Sequence, residues 1–544
     1  MRFVAGLLVS LTCFGQTRAP AIESIRRDEL KADLYFLASD AMRGRMTGTE
    51  TYNLSAEWIA SRYARLGLQP LAPDGSYFHR FDLVHSRLAE GNRLAMSRGA
   101  EARQIAKQGS DFYPLIFSAD AEARGRVRFA GFGIRAPRLK WDDYAGQTVK
   151  GSIVMLLEGE PAPDDPRSPF DGLVTSEYAN SLRKTLEAQD QGAIAVLIVN
   201  ARIPDSRMRS FATTAAAYWP AKAPHLERYT LAAYANRIRI PAMQISPAVA
   251  EHILGRELQP LLKDAAQGPV RSVLESVSTV DLATALDRTV VEDRSVVAKI
   301  EGSDPALKNE AVLISGHYDH NGAEGNVIYN GADDNASGTV AVLDIAEAYS
   351  TAAQQGQRPR RTIIFAVWGS EERCCGPLLG SWAWIEQPLW PLDKTVASLN
   401  MDMIGRSEEV PEGAGARFKG LKVQTAASNA NSVHVMGSSY SPDLAEAIRK
   451  SNREIDLTLR MDYDNNASNL LRRSDHWPFL QRGVPAVFFH TGLHPDYHTQ
   501  FDRPEKIDYT KVERIARLVY QTSWDLAQAD SRPGTPEVRQ IPLP

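Results

Sequence analysis

From about Val296 onward, short apolar runs alternate with stretches of helical spacing, and this alternation restricts the chain to one fold class. VVAKIEG, AVLISGH, RTIIFAVWG, VASLNMD and VPAVFFH read as strands, and GTVAVLDIAEAYS reads as a helix between two of them. The pattern predicts an α/β domain around a mixed, mainly parallel central sheet flanked by helices. It also predicts where a site lies, because ligands of such sheets gather at the carboxyl ends of the strands.

A chain of 544 residues is too long for one ordinary domain. Between residues 119 and 280 the texture changes to short strands, GRVRFAGFGI, GSIVMLLEG, AIAVLIVN and IPAMQIS, separated by Pro, Asp and Gly clusters. This segment is expected to be a smaller strand-rich domain. Residues 20–118 and 281–530 then form the two parts of the larger domain. Ser24 to Leu68 reads as helical, with Ala56, Ile59, Ala60 and Tyr63 on one buried face and Gly67 as the stop. Residues 531–544, rich in Pro and polar side chains, read as a disordered tail.

At the N-terminus, Arg2 precedes the apolar run from Phe3 to Gly15, which is too short to span a bilayer. Residues 1–19 are expected to be a signal peptide, placing the protein in the periplasm or outside the cell. Cys13 leaves with it, and the adjacent Cys374 and Cys375 cannot build a disulfide framework. They are either two small buried residues or a vicinal disulfide. The formal charge of -4 argues against nucleic acid or an anionic membrane as partner.

Five segments near predicted strand ends carry residues able to hold divalent ions: His317, Asp334, Glu372, Asp402 and His498. Glu371 sits beside one of them, where a base acting on water belongs. Each segment alone has a bland reading. In SGHYDH, Asp319 lies two residues from His317 on the same strand face and can orient its imidazole. In NGADDNASG, either Asp333 or Asp334 can cap the following helix. Asp402, in an apolar setting, needs a metal or an arginine such as Arg406 as partner. TGLHPDYHTQFD offers both His494 and His498.

In order and wording these segments resemble peptidase family M28, the zinc aminopeptidases and carboxypeptidases, over about Val296 to Leu526 and in the GRMTGTETYNLSAEWIASRYARLGLQPL stretch from Gly44. The resemblance implies two zinc ions held by His317, Asp334, Glu372, Asp402 and His498, with Asp334 bridging, Glu371 as general base and Tyr497 as an oxyanion donor. It implies peptide substrates and hydrolysis at a chain end, with aminopeptidase activity the first expectation and carboxypeptidase activity the alternative. Single-zinc glutaminyl cyclases and non-catalytic receptors share the fold and are the more distant alternatives. WDDYAG, VKGSIVML and GAIAVLIVN make residues 119–280 similar to the protease-associated domain found inserted in this family. One departure is local: Arg373, Cys374, Cys375 and Pro377 reshape the stretch after the glutamate pair. Oligomeric state is left open.

Overall fold

The runs Ala311–His317, Thr362–Trp368 and Thr395–Met401 are buried at every position, which only central strands covered on both faces can achieve. The computed structural model describes residues 18–200, 209–271, 274–373 and 378–534. Residues 1–17 of the expected signal peptide, Cys13 among them, and Cys374, Cys375 and Pro377 lie outside the described residues, whereas Ala19 is buried and its N–H donates to Gln521 Oε1 at 2.8 Å.

The larger domain is built on a ten-stranded mixed sheet. Its main strands are β1 (Phe78–Leu88), β2 (Leu286–Ile300), β3 (Ala311–His317), β4 (Thr362–Trp368), β5 (Thr395–Met401), β6 (Ser432–Met436) and β7 (Ala486–His490). They lie in the order β1-β2-β4-β3-β5-β7-β6, with shorter strands at the edges and beside β2. The central four, β4-β3-β5-β7, are parallel. β1 and β2 run antiparallel to their neighbours, and β6 runs antiparallel to β7 but parallel to the edge strand Thr458–Arg460. Four helices, α1 (Arg27–Leu37), α2 (Glu50–Arg65), α3 (Gly338–Gln354) and α4 (Tyr509–Gln528), contribute to one continuous apolar core. A second core packs Trp368, Trp384 and Trp477 against the sheet.

The helical reading of Ser24 to Leu68 holds only in part. Ala56, Ile59, Ala60 and Tyr63 do form the buried face of α2, and Gly67 takes the left-handed conformation that ends it. Between α1 and α2, however, the chain kinks, with Arg43 and Arg45 both at positive φ. The turn buries the Arg45 guanidinium completely and lets it donate to four carbonyls: Leu37 at 2.6 Å, Asn330 at 2.7 Å, Tyr318 at 2.8 Å and Gly331 at 2.9 Å. A straight helix could not deliver one cation to the end of α1 and to two loops of the larger domain.

A second sheet of eight strands occupies the middle of the chain. Its central strands, Ala121–Phe129, Ile153–Leu157, Ala195–Val199 and Ala242–Ile245, are parallel. The sequence reading starts this unit at 119, but Arg93–Ser97, Gln104–Ile105 and Phe112–Pro114 already belong to its sheet. The chain enters and leaves at one neck, where Asn92 exchanges hydrogen bonds of 2.9 and 3.0 Å with the backbone of Ala285. Conversely, Tyr229–Leu231 reaches back to pair with β1. The start of the expected tail is also ordered: Arg532 donates to Glu310 at 2.7 and 2.9 Å. Among the described residues no helix is long and apolar enough to cross a membrane.

Candidate metal centre

β3, β4, β5 and β7 end on the same side of the sheet, and each hands over to a loop that carries polar groups. His317 is the last residue of β3, Asp402 follows β5 directly, and the Glu371–Glu372 pair follows β4. Asp334 comes from the loop before α3, and His498 from the loop after β7.

These loops bring two triads together around one shared carboxylate. In the first, His317 Nε2 lies 3.5 Å from Asp334 Oδ1 and 3.5 Å from Asp402 Oδ1. In the second, His498 Nε2 lies 2.9 Å from Asp334 Oδ2 and 3.1 Å from Glu372 Oε2. Ligand atoms about 2.1 Å from a tetrahedrally held zinc stand about 3.4 Å apart, so both triads have spacings that suit an ion. Three of the facing atoms, His317 Nε2, Asp402 Oδ1 and His498 Nε2, are buried without a hydrogen-bond partner. Buried polar atoms aimed at one another and left unsatisfied are what a cation corrects. Imidazole nitrogens mixed with carboxylate oxygens suit zinc.

Neighbouring groups fix the orientation of each donor. Ser474 Oγ donates to Asp402 Oδ2 at 2.7 Å, leaving Oδ1 for the first triad, and Asn400 Nδ2 donates to Ser474 Oγ at 2.7 Å. Asp502 accepts the backbone N–H groups of Asp333 and Asp334. Asp333 points away from the triads: its carboxylate accepts from Gly405 N at 2.6 Å and meets His494 Nε2 at 3.2 Å. Arg406 pairs with Asp496 at 3.1 Å and not with Asp402. The Asp319 carboxylate accepts from the backbone of Glu371 at 3.0 Å and of Glu372 at 3.1 Å. His317 Nδ1 lies closer to the Asp319 carbonyl, 3.3 Å, than to its carboxylate, 3.7 Å. Asp319 therefore shapes the glutamate turn as well as the histidine.

Glu371 belongs to neither triad, with its Oε2 3.9 Å from His317 Nε2. Burial pushes its carboxyl well above the ordinary range, and the charges of Glu372, Asp475 and Asp402 add to that push against the opposing His317. Tyr497 lines the same pocket, its ring tilted against that of His498 with centroids 3.8 Å apart. Burial, reinforced by Asp334 and Glu372, keeps its phenol protonated and thus able to donate. Three participants were not singled out by sequence reasoning: His320, Asp502 and Ser474. His320 stood within the quoted SGHYDH motif, and its place one residue after Asp319 was the available signal.

A mixed sheet whose carboxyl edge gathers imidazoles and carboxylates around a shared aspartate defines a metallohydrolase site. Residues 295–523 match the profile of peptidase family M28. Similar proteins include the probable glutamate carboxypeptidase AMP1 of Arabidopsis thaliana, 28% identical over 48% of this chain and 35% of its own length. The probable glutamate carboxypeptidase VP8 of Zea mays is 25% identical over 85% of this chain and 58% of its own. The chain thus spans about a third to three fifths of the length of these curated relatives. Among solved structures, the aminopeptidase from Aneurinibacillus sp. strain AM-1 aligns over 95% of this chain and 97% of its own, with 16% identity and a TM-score of 0.47.

Proposed function

We propose that the chain is an exported two-zinc exopeptidase that releases N-terminal residues from peptides. The observation that carries this reading is the pair of triads sharing Asp334, with Glu371 beside them and in neither. His317, Asp334 and Asp402 would hold one ion, and Asp334, Glu372 and His498 the other. When bound, the zinc ions supply Lewis acidity to the scissile carbonyl and make a nearby water acidic enough to lose a proton near neutral pH. Glu371 accepts that proton as the water oxygen adds to the carbonyl carbon, and passes it to the amine nitrogen as the C–N bond breaks. Tyr497 O–H donates to the oxygen that becomes negative in between. The predominance of carboxylates in the pocket lining, Asp334, Glu371, Glu372 and Asp402 against Arg473, supports recognition of a free α-ammonium group. The apolar run from Phe3 to Gly15 supports export, and residues 93–284 are read as the protease-associated unit.

Arg473 supports a second reading. It lines the same pocket, its Nη2 donates to the Ser468 carbonyl at 2.6 Å, and it has no carboxylate partner among the described residues. A guanidinium so placed suits a substrate carboxylate, as a carboxypeptidase requires. Zinc-reconstituted protein incubated with matched peptides bearing free, acetylated or amidated ends, followed by mass spectrometry, separates the two. Loss of single N-terminal residues only from free-amine peptides is the expected result. Cleavage indifferent to acetylation but abolished by C-terminal amidation replaces it with the second reading.

A further inference from the structure

His320 meets the second triad but belongs to neither assignment above. Its Nδ1 lies 2.7 Å from Glu372 Oε1 and 3.9 Å from Asp334 Oδ2. The first distance is that of an N–H···O hydrogen bond, so Nδ1 is already engaged with one Glu372 oxygen. His320, Asp334 and Glu372 lie close enough together to hold an ion, but His498 Nε2 approaches both carboxylates, at 2.9 and 3.1 Å, and is the imidazole assigned to it. What it does instead is occupy one oxygen of Glu372 and leave Oε2 to face His498 Nε2 at 3.1 Å. The ring has no room to swing away. It is almost fully buried, stands edge-on to His498 with centroids 5.7 Å apart, and its own Nε2 has no hydrogen-bond partner. Behind it lies Gly331, at φ +58°, where a Cβ would come within 2.4 Å of the His320 ring.

We propose that His320 is the positioning residue of the second zinc site, donating Nδ1–H to Glu372 Oε1 so that Glu372 presents Oε2 alone to the ion. The inference rests on the two-metal reading. A histidine one step outside a ligand typically changes metal affinity by about 10–100-fold when lost, because the freed ligand rotates or binds through both oxygens. Asparagine places an N–H close to where Nδ1–H stands, whereas glutamine carries its amide one bond further out and leucine has no donor.

The test is zinc titration of the full-length, chelator-stripped protein by calorimetry, with total bound zinc measured by elemental analysis, on wild type and on His320→Asn, His320→Gln and His320→Leu. Unfolding of each stripped protein is followed in parallel. Two equivalents are expected in all, with one equivalent weakened about 10–100-fold in His320→Leu and His320→Gln, and restored to within about threefold in His320→Asn. Unchanged affinities in His320→Leu overturn the proposal. Equal losses in His320→Asn and His320→Gln overturn it too, since the donor is then not what matters. If His320→Leu does not fold, the Asn and Gln pair decides alone. Wild type that binds no zinc instead removes the two-metal reading, a distinct failure.

Discussion

Asp502 and Asp334 are 168 residues apart in sequence, yet the Asp502 carboxylate accepts the backbone N–H of Asp334 at 3.1 Å and of Asp333 at 3.0 Å. The residue that both triads share is thus aimed by its main chain. Because Asp334 serves both triads, an error in its backbone damages two sites at once. Asp502→Ala is expected to weaken both zinc equivalents by about 10–100-fold. Calorimetric titration checks this, and loss confined to one equivalent refutes the shared aim.

Glu371 separates metal binding from turnover. It contributes no atom to either triad, so Glu371→Gln should bind zinc as wild type does. Loss of the proton acceptor should lower kcat by about 10²–10⁴-fold with little change in KM. A variant with full kcat removes Glu371 from the reaction, and one that also loses zinc assigns it to the metal instead.

His317, Glu371, Glu372 and Asp402 could be read from the sequence because each ends or closely follows an apolar strand, which is visible in one dimension, whereas Asp334 and His498 sit in loops and were assigned by family resemblance. Asp402 after VASLNM and His317 after AVLISG show this directly. The residues that aim them were not legible. Asp502 reaches Asp334, Ser474 reaches Asp402 and Arg45 reaches Asn330 only after folding, across 168, 72 and 285 residues of sequence. No local pattern marks such a partner.

Domain limits failed for a related reason. Three central strands of the second sheet, Ile153–Leu157, Ala195–Val199 and Ala242–Ile245, are buried throughout and announce themselves. Its edge strand Gln104–Ile105 is two residues long and exposed, so the composition there resembles a loop. The parting of α1 from α2 was equally hidden, since positive φ at Arg43 and Arg45 is imposed by the carbonyls that Arg45 serves.

Arg472 and Glu177 tie the two sheets together beside the site. Arg472 Nη2 meets Glu177 Oε1 at 2.8 Å, its Nη1 donates to the Thr175 carbonyl at 2.7 Å, and Trp477 Nε1 donates to the same Glu177 oxygen at 2.8 Å. Arg472→Ala leaves the poorly exposed Glu177 with the neutral donors Trp477 Nε1 and, at 3.4 Å, Asn180 Nδ2, and removes the guanidinium that pairs with it. It should cost about 1–3 kcal/mol of stability, measured by urea unfolding. Adding Glu177→Gln should cost less in that background than in wild type, because the charge it removes has already lost its partner. Additive costs would show that the pair is not coupled.

His79 sets an acid limit that is independent of the metals. Its ring is buried against Trp384 with centroids 5.5 Å apart, its Nε2 is 2.9 Å from the Gln387 carbonyl, and burial lowers its pKa from 6.5 to about 4. Between those values the unfolded chain binds a proton that the folded chain refuses. The free energy of unfolding therefore falls as pH drops through 6.5 towards 4, and the contribution is fully present only above the unfolded pKa. Integrated from about pH 7 to about pH 4.5, this one group should remove about 2–3 kcal/mol. His79→Phe keeps an aromatic ring against Trp384 but cannot take up the proton. Measured by urea unfolding of stripped protein at the two pH values, its stability should fall by about 2–3 kcal/mol less than that of wild type, whatever its stability at neutral pH. Parallel losses in the two proteins would mean that His79 does not titrate in this window and that the acid limit lies with other groups.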